Sequence, residues 1–154
     1  MITVSDGVSA GQRKDVSGPA LVRLLAGAEF EVSGPEVLPD VMQQISDAIV
    51  AAASAGADFV VTTGGTGLGP RDVTPQATSG VIEFEVPGLG ETMRRAGAAS
   101  TPMAALSRSM AGVRGSTLIV NVPGSMKGAT ESLEAILPVL PHAIRLLHGN
   151  TSHD

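Results

Sequence analysis

A chain of 154 residues fits one domain and can bury about 70% of the surface it exposes when unfolded. Apolar residues make up 43%, yet only Phe30, Phe59 and Phe84 are aromatic, so the core rests on aliphatic side chains and Met, which suits helices packed on a sheet; the lack of Cys removes disulfides, thiolate zinc sites and Cys nucleophiles. A net charge of −5 argues against a nucleic-acid binder, whose basic face neutralises phosphates; no run approaches the ~18 apolar residues of a membrane span, and the opening residues lack a secretory pattern, so the expected location is the cytoplasm.

In chain order, Ile2-Thr3-Val4 reads as a short strand ending in the polar loop Ser5 to Gly11. Ser17-Gly18-Pro19 places a capping residue before a first-turn proline and predicts a helix through Leu25. A strand is expected around Phe30 to Val32. Asp40, with Gln43 three residues on, has the spacing of a capping box, and Val41, Ile45, Ala48, Ile49 and Ala52 share one helical face that Gly56 closes. Asp58 to Thr63 is too apolar for a half-solvated strand and reads as a central parallel one.

Thr74-Pro75 repeats the cap-then-proline pattern and predicts a helix to about Phe84, broken by Pro87-Gly88, with short helices over 91–96 and 102–109. Ser116 to Val122 is a second buried strand, 123–128 a second glycine-containing loop, and Ala129 opens a helix that Pro138 and Pro141 kink or restart. Alternating strands and helices imply one three-layer α/β/α domain over residues 1–154 with a mainly parallel sheet.

In such a sheet, ligands bind outside the carboxyl ends of the strands, where both glycine loops fall. Thr63-Gly64-Gly65-Thr66-Gly67 and Pro123-Gly124-Ser125 combine close backbone approach, hydroxyl donors and the free N–H groups of a following helix. That chemistry suits a phosphate or another oxyanion; the alternative is a tight structural turn. Walker A and dinucleotide fingerprints both fail, since Pro70-Arg71 follows Gly69. Arg94, Arg95, Arg108, Arg114 and Lys127 fall in a window without acidic residues, either as a solvated surface or as a field that draws a polyphosphate. His142, His148 and His153 suit a helix side or tail better than a metal site.

The extended pattern is more specific. VSDGVSAG, DVSGPAL, TTGGTG, RDVTPQAT and LSRSMAGVRGSTLIVNVPGS, in this order over nearly the whole chain, resemble the molybdenum cofactor biosynthesis family, in particular the Mog-type molybdopterin adenylyltransferases and the G domains of the fused plant and animal proteins. Met126-Lys127 stands where the family commonly has proline after the second loop, and the first strand lacks several residues that usually precede it.

The resemblance implies a MogA-like fold and transfer of AMP from MgATP to the terminal phosphate of molybdopterin, with release of pyrophosphate. A non-catalytic molybdopterin-binding or scaffold protein of the same pathway is the alternative, and a nucleotide-derivative hydrolase a third reading. Residue by residue, the resemblance gives Thr63, Gly64, Gly65, Thr66, Gly67, Asp72, Pro123, Gly124 and Ser125 to the pterin and its phosphate, Ser5, Asp6 and Asp40 to the nucleotide, and Asp40 to Mg²⁺. Asp72 and Asp40 are the expected catalytic carboxylates; Asp40 could instead cap its helix, and Asp72 could pair with Arg71 or cap the Thr74 helix. It also implies a homotrimer, to which a mean hydropathy of +0.25 adds weak support, and molybdopterin synthase and molybdate-insertion proteins as pathway partners.

Overall fold

In the computed structural model, which describes residues 1–150, alternating strand residues divide a six-stranded sheet into two faces, each covered by helices. The first half runs β1 (Ile2–Val4), α1 (Asp6–Ser9), α2 (Ser17–Gly27), β2 (Glu36–Leu38), α3 (Met42–Ser54) and β3 (Phe59–Thr63). The second half runs α4 (Thr74–Ser79), β4 (Phe84–Glu85), α5 (Pro87–Ala98), β5 (Ala111–Arg114), β6 (Thr117–Val122), α6 (Met126–Ile136) and α7 (Leu140–Leu147), with 3₁₀ turns at Pro102–Leu106 and Leu137–Val139. Strand order is β2-β1-β3-β6-β5-β4; the first four run parallel, and β5 and β4 antiparallel to their neighbours.

The period of two along a strand sorts the core. Val61, Leu118, Val120 and Val122 face α2, α5, α6 and α7 through Leu21, Leu25, Met93, Leu133, Ile136 and Leu140. Val60 and Ile119 face α3 and α4 through Ile45, Ile49 and Ala77. Each fully buried Leu or Ile in these layers contributes about 1.5–3 kcal/mol relative to an exposed one. This is the expected three-layer arrangement.

Several boundaries differ from expectation, each for a local reason. Residues 30–32 form no strand: Phe30 packs on Phe59 with ring centroids 6.2 Å apart, and the edge strand is instead 36–38, paired to β1. The helix at Thr74 stops at Ser79, so that Glu83 N can donate to Val113 O and Phe84–Glu85 pair with β5. Pro87-Gly88 opens α5 rather than breaking a helix, since a first-turn proline has no intrahelical bond to lose. Residues 102–106 form only a 3₁₀ turn, and β5, unanticipated, follows at 111. Pro138 and Pro141 do restart the chain as a 3₁₀ turn and then α7.

The caps also differ. Asp15 Oδ1, not Ser17, accepts from Gly18 N at 2.9 Å at the start of α2. Val41 precedes α3 with no side-chain cap, so Asp40 is not a helix cap and its carboxylate is directed elsewhere. Thr74 lies inside α4, with a buried hydroxyl that has no hydrogen-bond partner among the described residues.

Candidate functional site

The carboxyl ends of the four parallel strands lie side by side and deliver four loops to one edge of the sheet: Ser5-Asp6 from β1, Pro39-Asp40 from β2, Gly64-Gly65 from β3 and Pro123-Gly124 from β6. The two glycine loops are packed backbone to backbone. Gly64 N donates to Val122 O at 3.1 Å, Thr63 Oγ1 donates to Pro123 O at 2.7 Å, and a Cβ on Gly124 would sit 3.2 Å from Gly64 Cα. Gly64 is buried at φ +103°, where a side chain would strike the carbonyl oxygen of Val4. Thr63 and Gly64 therefore brace the loops from behind, while Gly65, Thr66, Gly67, Pro123, Gly124 and Ser125 face a cleft of about 670 Å³. Gly65 has φ +63°, and a Cβ there would collide with Thr74 Oγ1 and approach Asp40 Oδ1, so this glycine serves the loop's own geometry as well as any ligand.

Asp72 also lines the cleft. Its Oδ2 accepts from Gly69 N at 2.8 Å and its N donates to Gly69 O at 3.0 Å, which closes the turn after the glycine loop. It neither pairs with Arg71 nor caps α4, which begins without a side-chain cap. Arg108 locks this arrangement from the far side: Nε donates to Gly67 O at 2.8 Å, Nη2 to Asp72 O at 2.6 Å, and its backbone N to Thr66 O at 2.9 Å.

Beside the cleft, Asp6 and Asp40 exchange bonds. Asp6 N donates to Asp40 Oδ2 at 2.8 Å and Asp40 N to Asp6 Oδ1 at 2.9 Å. Arg71 grips Asp6 with two N–H groups at 3.0 and 3.1 Å and holds its carboxyl below the ordinary range. Asp40 is pushed the other way, first by burial, then by the charges of Asp6 and Asp72, against the backbone bond from Asp6. Its Oδ1 accepts from no protein donor among the described residues. A hard divalent cation suits that oxygen: Mg²⁺ is held by one or two carboxylates with phosphate oxygens and water, and its charge relieves the crowding of carboxylates. Ser5 caps α1, its Oγ accepting from Val8 N at 3.3 Å. Ser5, Asp6 and Asp40 do not line the cleft itself.

Sequence reasoning missed the outer wall of the cleft, which comes from α5, the 102–106 turn and α6: Met93, Arg94, Ser100, Ala104, Leu106 and Glu131 among others. Of the basic window, Arg94 and Lys127 reach the cleft, Arg108 backs the glycine loop, and Arg114 donates to Val81 O at the antiparallel edge. The window was the available signal, but it could not separate these roles. Of the histidines, His148 Nε2 lies 2.7 Å from Asp58 Oδ1 and His142 Nδ1 lies 3.3 Å from Arg145; His153 lies outside the described residues.

Fold and site define an α/β protein with a glycine-walled cleft, suited to an oxyanion, at the carboxyl ends of its parallel strands. Residues 1–142 match the model of the probable molybdopterin binding domain, and the chain belongs to this family of molybdenum cofactor biosynthesis. It is 38% identical to the molybdopterin adenylyltransferase of Helicobacter pylori, over 97% of this chain and 87% of that protein. It is also 38% identical to the molybdenum cofactor biosynthesis bifunctional protein of Synechococcus elongatus, over 97% of this chain but only 47% of that longer protein, so it spans about half the length of that relative. The crystal structure of the molybdopterin biosynthesis enzyme MoaB from Thermus thermophilus superposes with a TM-score of 0.90 at 54% identity, covering 96% of this chain and 94% of that one.

Proposed function

We propose that this chain is a molybdopterin adenylyltransferase, a nucleotidyltransferase of molybdenum cofactor biosynthesis that works as one molybdopterin-binding domain. The observation that carries the reading is the adjacency of two unlike regions at one sheet edge: the glycine-walled cleft at β3 and β6, and the acidic Asp6 and Asp40 pair at β1 and β2. The first suits a phosphorylated pterin and the second a nucleotide with its cation.

In the reaction, a terminal phosphate oxygen of molybdopterin attacks the α-phosphorus of ATP. A P–O bond forms there as the bond to the β-phosphate oxygen breaks, and pyrophosphate leaves with the electron pair. Such a transfer needs orientation and charge neutralisation more than a protein nucleophile. Gly65 to Gly67 and Pro123 to Ser125 hold the pterin phosphate, aided by the N–H groups of Met126 and Lys127 in the first turn of α6, the N–H of Gly128 being taken by Ser125 Oγ at 3.2 Å. Asp72, fixed by Gly69 and Arg108, faces the attacking phosphate, while Ser5 and Asp6 orient the nucleotide. Asp40, through Oδ1, would hold the Mg²⁺ that accompanies ATP, and that ion would supply neutralisation of the polyphosphate charge.

The same reading gives a cytoplasmic homotrimer that works between molybdopterin synthase and the molybdate-insertion proteins. Incubation of the protein with MgATP and anaerobically prepared molybdopterin is expected to yield adenylyl-molybdopterin and pyrophosphate in equal amounts. Tight pterin binding without AMP transfer would leave a carrier or scaffold, and AMP release without pterin would indicate a hydrolase.

A further inference from the structure

The cleft has two chemically different ends. At the sheet, the glycine loops offer backbone and hydroxyl groups to an oxyanion. At the outer end stands a carboxylate, Glu131, on the exposed flank of α6 but facing the cleft, with its side chain only 26% exposed. One of its oxygens, Oε1, accepts from Ser100 Oγ at 2.6 Å, which ties the side chain to the end of α5. Lys127 Nζ lies 3.8 Å from that same oxygen, beyond hydrogen-bond range. Oε2 has no protein partner among the described residues, and an ionised carboxylate offers about four acceptor sites in all.

Asp72, the other carboxylate lining this cleft, is committed to its turn with Gly69 at the opposite end. Along the cleft, Met103, Ala104 and Leu106 present apolar surface suited to a flat ring. Glu131 lies six residues beyond Ser125, roughly 9 Å along the helix axis. That separation is comparable to the span of a pyranopterin from its phosphate to its pyrimidine edge.

That edge carries a 2-amino group beside an N3–H, two parallel donors in a cyclic guanidine-like unit, and a carboxylate matches such a pair as it matches one face of arginine. We propose that Glu131 is a specificity-determining residue of the cleft, receiving the 2-amino and N3–H donors of the pterin while Ser100 fixes its orientation. This rests on the molybdopterin reading above. It assigns the recognised feature to the aminopyrimidinone edge rather than to the phosphate alone.

The test compares Glu131→Gln with the parent, first for molybdopterin, then for 6-hydroxymethylpterin phosphate against 6-hydroxymethyllumazine phosphate, in which an oxo group replaces the 2-amino group. Glutamine keeps the size and the acceptor for Ser100 but turns one oxygen into a clashing donor. Molybdopterin affinity is expected to fall about 10- to 100-fold, the usual worth of a hydrogen-bonded pair involving a charge. The parent should prefer the pterin phosphate over the lumazine phosphate, and the variant should lose that preference while melting near the parent temperature. A merely structural Glu131 would not move this preference. Unchanged molybdopterin affinity and an unchanged preference in the variant overturn the assignment alone; failure of the parent to bind molybdopterin overturns the functional reading and this assignment with it.

Discussion

Removal of the Arg108 guanidinium should loosen the glycine-loop side of the site, because one side chain ties its own segment to two points, Gly67 and Asp72, of a loop far away in sequence. Its Nε and Nη2 reach Gly67 O and Asp72 O at 2.8 and 2.6 Å, and the group is half-buried. Each hydrogen bond to a charged group is worth about 1.5–3 kcal/mol, so Arg108→Met forfeits up to ~3–6 kcal/mol, which water reaching the two carbonyls cuts to roughly 3 kcal/mol. For a domain of this size that is a drop in Tm of about 6–12 °C. Arg108→Lys can satisfy one carbonyl but not both, since an ammonium lacks the planar fork, and should lose about half as much. With the Asp72 turn unanchored, KM for molybdopterin should rise in both variants while KM for ATP changes little. Differential scanning fluorimetry and initial-rate kinetics read both effects. Parent-like melting and parent-like KM in Arg108→Met would refute the view that these two bonds hold the loop in place.

Asp40→Asn and Asp72→Asn keep an acceptor for Asp6 N and Gly69 N respectively, so both should melt near the parent; each should lose on the order of 10²-fold in turnover, the first through MgATP and the second with pterin still bound. Because the folded pKa of Asp40 is raised, its protonated form adds stability that is full below the ordinary carboxylate range and lost as pH rises through the raised value; if activity needs the ionised form, the acidic limb of the rate profile should lie above that range. Asp6→Asn removes one of the charges responsible and should move this limb to lower pH, as a pH series of initial rates would detect. Gly64→Ala should destabilise by about 3 kcal/mol or more, since the new Cβ meets the Val4 carbonyl, whereas Gly11→Ala, also at positive φ but with open space, should cost only about 1 kcal/mol; urea melts of the two variants compare them.

The long, strongly patterned segments were legible in the sequence because local and tertiary preferences agree there. Asp58 to Thr63 and Ser116 to Val122 are apolar on both faces and do become the paired central strands β3 and β6. The elements that escaped are those decided by partners far away in sequence. Ala111–Arg114 contains a glycine and has too little apolar periodicity to announce a strand; it is one because β6 lies beside it and Ile82 fills the space that a larger residue at Gly112 would need. Asp40 looked like a cap because Gln43 stands three residues on, but the backbone N–H of Asp6, thirty-four residues away, competes for its carboxylate and wins. The glycine loops and acidic residues of the site were readable as chemistry, whereas the outer wall, with Glu131 on a helix face that also reads as ordinary solvated surface, was not.

The reciprocal bonds between Asp6 and Asp40 join loops that ride on β1 and β2, each only three residues long, whereas the glycine loops ride on β3 and β6, with five and six. A short edge pairing opens at lower free energy than a central one. On the proposed reading this gradient reaches only Asp40, which follows the edge strand β2, because β1 under Asp6 is buried and paired on both sides while the glycine loops stand on β3 and β6. A ligand that bridges the two regions would take up slack at Asp40 alone, so the ordering cost of binding falls there while the glycine cradle stands ready-made.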